Sequence, residues 1–171
     1  MGVSASLLTF EESEQMPDEP GKLELLDGKL IRLPPPKFGH MEIADHLCDL
    51  LKPALAGPNR PPHLGRAYVE MGYKMGGTVW LRPDVSVLHA HQSRGGYLDG
   101  APALTVEIIS EPNTAQEIDR KVKKYLSTGG IDVWVVYPKT RCVGVFRQGH
   151  AVEFRGELRS ELFPDLTNRS G

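Results

Sequence analysis

Two acidic residues, Asp84 and Glu107, lie within runs of apolar and β-branched residues that are typical of buried strands. The first run spans residues 80–87 and the second spans residues 104–110. A carboxylate that is buried alone in such a run is costly, so it is usually paired, hydrogen-bonded or bound to a metal. On neighbouring strands, two such acids could meet at one cation. Mg²⁺ prefers oxygen ligands and keeps several waters, so two carboxylates and one backbone carbonyl would be enough to hold it.

Strand alternation supports this arrangement of the two acids. Side chains alternate along a strand, so each acid points away from the aliphatic side chains that flank it. A magnesium ion held there would suit the hydrolysis of phosphodiester bonds. Without metal, two like charges should raise the pKa of at least one acid, so removing either acid should leave the protein at least as stable. Two other interpretations stay open, in which Asp84 starts a turn or pairs with Arg82, and Glu107 is a salt-bridge acid.

A lysine for this chemistry is expected on the helix predicted over residues 114–127. With a rotation of ~100° per residue, Lys121 falls at the edge of the apolar face, whereas Lys123 and Lys124 face away. Lys121 is therefore the basic residue of this helix that leans towards the core and the strand ends. The alternative is an ordinary surface lysine that pairs with Glu117 across one turn.

Two further residues, Glu24 and His40, are candidates for an auxiliary role. Glu24 lies in a hairpin predicted over residues 22–31, which has an Asp-Gly turn. It is either a third acid near the metal or an exposed hairpin residue, and alternation alone does not decide between them. His40 lies near the start of a helix predicted over residues 39–55, where a solvated or capping side chain is the alternative to a role in the site.

The order of the predicted elements indicates an α/β or α+β fold with a mixed sheet flanked by helices. A capping box at Thr9 opens a short helix, and the hairpin and the first long helix follow it. The chain is expected to be a single domain over residues 1–171, with an N-terminal helix and arm in 1–20 and a core in 21–165. Strands are predicted at residues 67–75, 80–87, 104–110, 133–137, 142–146 and 151–154, and loops at residues 57–65 and 90–102.

Composition and charge exclude several classes of protein. The 171 residues carry a net charge of −2, so any contact with nucleic acid must come from a local patch and not from a global attraction. No apolar run approaches the ~20 residues that a membrane span needs, and residues 1–8 do not resemble a signal peptide. Cys48 and Cys142 are far apart and lack metal-ligand spacing, which predicts two reduced cysteines in a cytoplasmic protein.

Several of these segments together resemble a known family. They are the Asp84 strand, Glu107-Ile108-Ile109-Ser110, Lys121-Val122-Lys123-Lys124-Tyr125 with Gly129, Val133-Trp134-Val135-Val136, Glu24-Leu25-Leu26-Asp27-Gly28, His40 and Leu162-Phe163. In their order and spacing along the chain, these segments resemble the Uma-two family of restriction endonucleases, which belongs to the PD-(D/E)XK nuclease superfamily. The chain departs from the family pattern at Ala103 and Tyr137, where an Asp is common, and neither residue is expected to take part in catalysis.

The resemblance implies a restriction-endonuclease-like core and a Mg²⁺-dependent endonuclease acting on DNA, with Mn²⁺ able to substitute. Asp84, Glu107 and the Ile108 carbonyl would hold the ion. The lysine that often stands two residues after the second acid is replaced here by Ile109, and Lys121 would take its place. Cleavage of both strands would favour a homodimer, and the sequence does not distinguish DNA from RNA. The alternatives are a non-catalytic nucleic-acid-binding or protein-interaction module with the same fold, and a structural protein whose acids are only paired.

Overall fold

The computed structural model describes residues 6–164 and Leu166 of the chain. Predictions that fall on residues 1–5, 165 and 167–171, including the outer ends of the expected arm and core, lie outside the described residues. The described part contains three helices, which are α1 (Phe10–Glu14), α2 (Phe38–Ala56) and α3 (Ala115–Ser127). It also contains eleven strands, which are β1 (Lys22–Leu26), β2 (Lys29–Leu33), β3 (Leu64–Val69), β4 (Tyr73–Lys74), β5 (Trp80–Leu81), β6 (Val85–His89), β7 (Leu98–Asp99), β8 (Leu104–Ile108), β9 (Asp132–Tyr137), β10 (Cys142–Arg147) and β11 (His150–Arg155).

The strands form two mixed sheets, where the sequence predicted one. The smaller sheet has the order β2-β1-β5-β4-β7, and the larger sheet has the order β11-β10-β9-β8-β6-β3. In the larger sheet β8 and β9 are parallel and are connected through α3, whereas the other neighbours are antiparallel. In the smaller sheet β4 and β7 are the parallel pair. The predicted α+β class with helices on a mixed sheet is confirmed, and the second sheet is an addition to it.

Two hydrophobic cores lie on opposite faces of the larger sheet. Strand alternation sends Val106 and Ile108 of β8 to the face that is covered by α2. Val133 and Val135 of β9 point to the opposite face, which is covered by α3 and the smaller sheet. Glu107 lies between Val106 and Ile108 in β8, so it faces α3 and the smaller sheet. The second acid of the predicted site is thereby placed between the two sheets.

Local sequence signals explain the N-terminal elements and the long helices. Thr9 caps α1 in a capping box, because its hydroxyl accepts from the Glu12 amide and the Glu12 carboxylate accepts from the Thr9 amide. The β1–β2 hairpin turns at Asp27 and Gly28, whose φ angles of 49° and 78° are those of a type I′ turn. The helices α2 and α3 begin and end within one residue of their predicted bounds.

Two predicted strands are wrong as continuous elements, because the chain crosses from one sheet to the other within each of them. The run 67–75 divides into β3 and β4, with Glu70 between them at a left-handed φ of 52°. The run 80–87 divides into β5 and β6 at Pro83, which lacks the amide hydrogen that a strand ladder needs. Asp84 therefore lies in the break before β6 and not inside a strand.

Smaller features complete the comparison with the predicted elements. The loop predicted over residues 90–102 contains the short strand β7, and the loop predicted over residues 57–65 is shorter than expected because β3 begins at Leu64. Cys48 and Cys142 are buried and form no disulfide. No helix in the described residues combines the length and the apolar composition that a bilayer span requires.

Candidate active site

Four separate elements bring charged side chains together between the two sheets. Lys22 and Glu24 come from β1, Asp84 from the break before β6, Glu107 from β8 and Lys121 from α3. All five side chains are buried, and that of Glu24 is fully enclosed. These five residues are called the charged cluster below. The acids and the lysine that the sequence singled out are therefore brought to one place.

Asp84 takes the place of a strand partner at the point where β6 leaves β8. The pairing of β6 with β8 ends at Val106, and beyond it the Ile108 amide donates to Asp84 Oδ2 at 2.7 Å. The other oxygen, Oδ1, lies 3.2 Å from Lys22 Nζ and 3.1 Å from His40 Nε2. Three polar partners therefore engage both oxygens of this carboxylate.

Lys121 is turned towards the acids, as the helical rotation predicted. Its Nζ lies 2.5 Å from Glu24 Oε2 and 3.5 Å from Glu107 Oε1. The Tyr125 hydroxyl, one turn further along α3, donates to Glu107 Oε1 at 2.9 Å. Lys123 by contrast is exposed and pairs with an acid on the helix surface. The interpretation of Lys121 as an ordinary surface lysine is therefore wrong.

Glu24 joins the two lysines of the charged cluster. Besides its contact with Lys121, its Oε1 accepts from the Arg82 amide at 2.9 Å and lies 3.8 Å from Lys22 Nζ. The interpretation of Glu24 as an exposed hairpin residue is therefore wrong. The Arg82 guanidinium pairs with Glu70 at 3.6 Å, so the interpretation that paired it with the first acid is also wrong.

His40 belongs to the site and does not cap its helix. The N-cap of α2 is Lys37, and His40 lies in the first turn that follows. Its side chain is 15% exposed and contacts Asp84, which places it at the rim of the charged cluster.

Sequence reasoning missed two residues of the site, Lys22 and Tyr125. Lys22 lies two residues before Glu24, and residues at this spacing share one face of a strand. That spacing was a signal that could have found Lys22 once Glu24 was considered. Tyr125 lies four residues after Lys121 on the same helix face, but an aromatic residue at this position is equally typical of the core.

The two principal acids have opposite electrostatic environments. Burial is the largest effect on the pKa of Glu107 and raises it. The two lysines lower this pKa and the two other acids raise it, and the net shift is upward. Burial acts in the same direction on the pKa of Asp84. The His40 hydrogen bond, the Lys22 ammonium and the Ile108 amide nevertheless lower that pKa to about 2. The expected raised pKa is thus found at Glu107, mainly through burial and not through repulsion, whereas Asp84 shows the opposite shift.

The two lysines of the site are held in their charged forms. Burial alone would lower the pKa of Lys22 and of Lys121, but the neighbouring carboxylates outweigh it and raise both. The pKa of His40 is also raised, chiefly by its hydrogen bond to Asp84. The site therefore contains buried ammonium groups and buried carboxylates that compensate one another.

The Asp84 carboxylate is expected to stabilise the fold at neutral pH. Because its pKa in the folded protein lies below the ordinary value of 3.8, its contribution is present above that value and is lost as the pH falls towards about 2. We expect Asp84→Asn to lower the free energy of unfolding at neutral pH by on the order of 2 kcal/mol, as measured by urea denaturation. This result would correct the expectation that either acid can be removed without loss of stability.

The pH dependence provides the control for this prediction. The difference between wild type and Asp84→Asn should narrow below about pH 4 as the carboxylate is protonated. Asp119→Asn, which removes an exposed acid from α3, should change stability little at any pH. A difference for Asp84→Asn that did not depend on pH would contradict the role of its charge.

The donor set of the charged cluster suits a hard divalent cation. Within the described residues, no three side chains of His, Cys, Asp or Glu converge as a complete metal site, but a magnesium ion that keeps several waters needs fewer protein ligands. The N–H and C=O of one strand residue point to the same side, so the Ile108 carbonyl faces the same gap as the amide that binds Asp84. The Asp84 and Glu107 carboxylates and this carbonyl fit the role of Mg²⁺ ligands.

The charged cluster adjoins a cavity of about 330 Å³. Lys22, Glu24 and Arg82 lie on its wall together with Trp80. The Trp80 ring packs edge-on against Tyr97, with 5.2 Å between the ring centroids. The cavity therefore has a wall that is both polar and aromatic, and it reaches the charged cluster only at β1, because Asp84, Glu107 and Lys121 do not line it.

Comparisons with known proteins bear on the family and the fold. The chain matches a family model described as "Uma2: Putative restriction endonuclease" over residues 10–168, whereas no curated protein matches it significantly. A solved structure from Anabaena variabilis ATCC 29413, described as "a putative nuclease belonging to DUF820", superimposes with a TM-score of 0.78 over 95% of this chain and 94% of that chain. Its 21% sequence identity makes this a likeness of fold, which confirms the predicted restriction-endonuclease-like architecture. Because the family model spans most of the sequence, the chain belongs to the Uma2 family.

Proposed function

We propose that this protein is a Mg²⁺-dependent endonuclease that hydrolyses phosphodiester bonds of DNA. The observation that carries the proposal is the convergence of Asp84, Glu107 and Lys121 in one buried cluster. Burying such charges is costly even when they are paired, so a cluster of this kind is better explained by chemistry than by stability. Membership of the Uma2 family supports nucleic acid as the class of substrate.

Three groups would bind the metal in this proposal. They are the carboxylates of Asp84 and Glu107 and the backbone carbonyl of Ile108, and Mn²⁺ would be able to replace Mg²⁺. The bound ion supplies a Lewis acid and lowers the pKa of a coordinated water. Lys121, held beside Glu107, contributes positive charge where negative charge develops on the phosphate.

Glu24 and His40 act as positioning residues in this proposal. Glu24 contacts Lys121 at 2.5 Å and is held in turn by the Arg82 amide, so it orients the ammonium group. His40 contacts Asp84 Oδ1 and so fixes the orientation of that carboxylate. Partners of this kind set the geometry of the groups that bind a metal directly.

A second candidate function is a non-catalytic nucleic-acid-binding or protein-interaction module with the same fold. It is favoured by the pairing of all three acids of the cluster with lysines. The net charge of −2 agrees better with a protein partner than with nucleic acid. The endonuclease proposal includes a homodimer, which would provide one site for each strand of a duplex, and a cytoplasmic location.

A plasmid-nicking assay tests the endonuclease proposal. Wild type should convert supercoiled plasmid to nicked circles in the presence of Mg²⁺ or Mn²⁺, and a chelator should abolish this activity. Lys121→Met should nick roughly 10²-fold more slowly, because the variant loses one charge that stabilises the transition state. Lys123→Met is the matched control on the exposed face of α3 and should nick at the wild-type rate.

The other outcomes of this assay separate the two candidates. Metal-dependent nicking that is equally fast in wild type and Lys121→Met would rule out the catalytic role of Lys121. A wild-type protein that shifts DNA in a gel but never nicks it would favour the non-catalytic module.

A further inference from the structure

Lys22 is the cation that lies against the first of the proposed metal ligands. Its Nζ is 3.2 Å from Asp84 Oδ1 and 3.8 Å from Glu24 Oε1. One ammonium group therefore contacts two of the three carboxylates of the charged cluster, at a position where a bound metal ion would also be attracted.

The two lysines of the cluster are held differently. Lys121 extends from the middle of α3, is 2% exposed and is held by Glu24 at 2.5 Å. Lys22 is the first residue of β1, is 7% exposed, and makes its shortest contact with an acid at 3.2 Å, to Asp84. A lysine side chain is a point charge on a flexible four-carbon stem. Lys22 is therefore the more loosely held of the two cations and the one that contacts Asp84.

Charge balance indicates when such a withdrawal is favourable. Two ammonium groups nearly compensate the three carboxylates of the charged cluster. A divalent ion that bound Asp84 beside Lys22 would meet a like charge a few ångströms away, in a site with little screening by water. With Lys22 withdrawn and His40 neutral, the divalent ion and Lys121 together balance the three carboxylates.

We propose that Lys22 occupies the cation position of the metal-free protein, and that it competes with a divalent ion for Asp84. This inference rests on the proposed metal-dependent function. Lys22 is thus a positioning residue that sets the metal affinity of the site. It keeps the acids together when no metal is bound, and it must move away from Asp84 Oδ1 before that oxygen can bind the ion.

Isothermal titration calorimetry with MgCl₂ and with MnCl₂ tests the competition on the full chain. Lys22→Met, which keeps the length of the side chain and removes its charge, should bind either ion at least roughly tenfold more tightly than wild type. Lys22→Arg keeps the charge and should bind no more tightly than wild type. Lys123→Met removes a charge of the same sign from the exposed face of α3 and should bind within about twofold of wild type.

The outcomes separate this inference from the proposed nuclease function. Lys22→Gln is a second neutral variant, used if Lys22→Met does not fold, and it should show the same increase in affinity. Equal or weaker metal binding by the neutral variants would overturn the competition even if wild type nicks DNA. Tighter binding by them would support it even if wild type never nicks. Absence of metal binding in every variant would overturn both proposals.

Discussion

Glu107→Gln is expected to lower the rate of metal-dependent nicking by at least about 10³-fold. The amide keeps the shape of the side chain but is neutral, so it is a poor ligand for Mg²⁺. A bound metal contributes several kcal/mol of transition-state stabilisation, and each ~1.4 kcal/mol corresponds to a factor of ten in rate. The measurement is the initial rate of nicking of supercoiled plasmid at saturating Mg²⁺, with Glu153→Gln as the control at an exposed acid of β11.

The stability of the same variant distinguishes loss of chemistry from loss of structure. Because the folded pKa of Glu107 is raised, chiefly by burial, its charged form opposes folding above its ordinary pKa. Metal-free Glu107→Gln should therefore melt at the wild-type temperature or slightly above it. Mg²⁺ should raise the melting temperature of wild type and not that of the variant. A variant that melted well below wild type in chelator would identify Glu107 as a structural acid.

Glu24→Ala is expected to lower the free energy of unfolding by about 3–5 kcal/mol, which is the usual effect of removing one partner from a buried ion pair. The Glu24 side chain is fully enclosed, and it is the contact that Lys121 makes at 2.5 Å. Its removal also leaves the Arg82 amide without its carboxylate acceptor. The Arg82 amide is then unpaired, and Lys121 keeps only its 3.5 Å contact with Glu107, so both groups are less well compensated in a buried place.

Chemical denaturation at neutral pH in chelator measures this effect. Glu153→Ala, at an exposed acid of β11, should change stability by no more than about 0.5 kcal/mol. Glu24→Gln should lie between wild type and Glu24→Ala, because the amide oxygen can still accept from the Arg82 backbone. If Glu24→Ala were as stable as wild type, the charged cluster would not depend on Glu24 as a bridge between its lysines.

The elements that the sequence predicted well are those whose signals are local. Thr9 and Glu12 form a capping box that needs only the first turn of α1, and the Asp27-Gly28 turn needs only its own backbone angles. The helices α2 and α3 follow from the period of their apolar residues. Each of these signals acts over a few residues, so tertiary contacts do not overturn it.

The two crossings between the sheets could not be predicted in this way. An apolar run looks the same whether it is one strand or two short strands that are buried in different sheets, since both have buried faces. Gly72 marks the first crossing, because a Cβ there would lie 2.1 Å from the Trp80 ring. That contact depends on the packing of β5 against the crossing, and the residues next to Gly72 in the sequence do not predict it.

The individual residues of the site could be predicted from the sequence better than the contacts that join them. Asp84, Glu107 and Lys121 were found from buried acids in apolar runs and from helical rotation, and the structure brings them together. Their coupling through Glu24 and Lys22 depends on which face of the hairpin is turned towards the larger sheet. Alternation defines two faces of a strand but does not say which of them is buried.

A side chain closes the place where β6 departs from β8. The pairing of the two strands ends at Val106, and beyond it the Asp84 carboxylate accepts from the Ile108 amide. In a continuous strand pair, that acceptor would be a neutral backbone carbonyl. The strength of this one link between β6 and β8 therefore depends on the charge of Asp84, because a hydrogen bond to an ionised acceptor is stronger than one to a neutral acceptor.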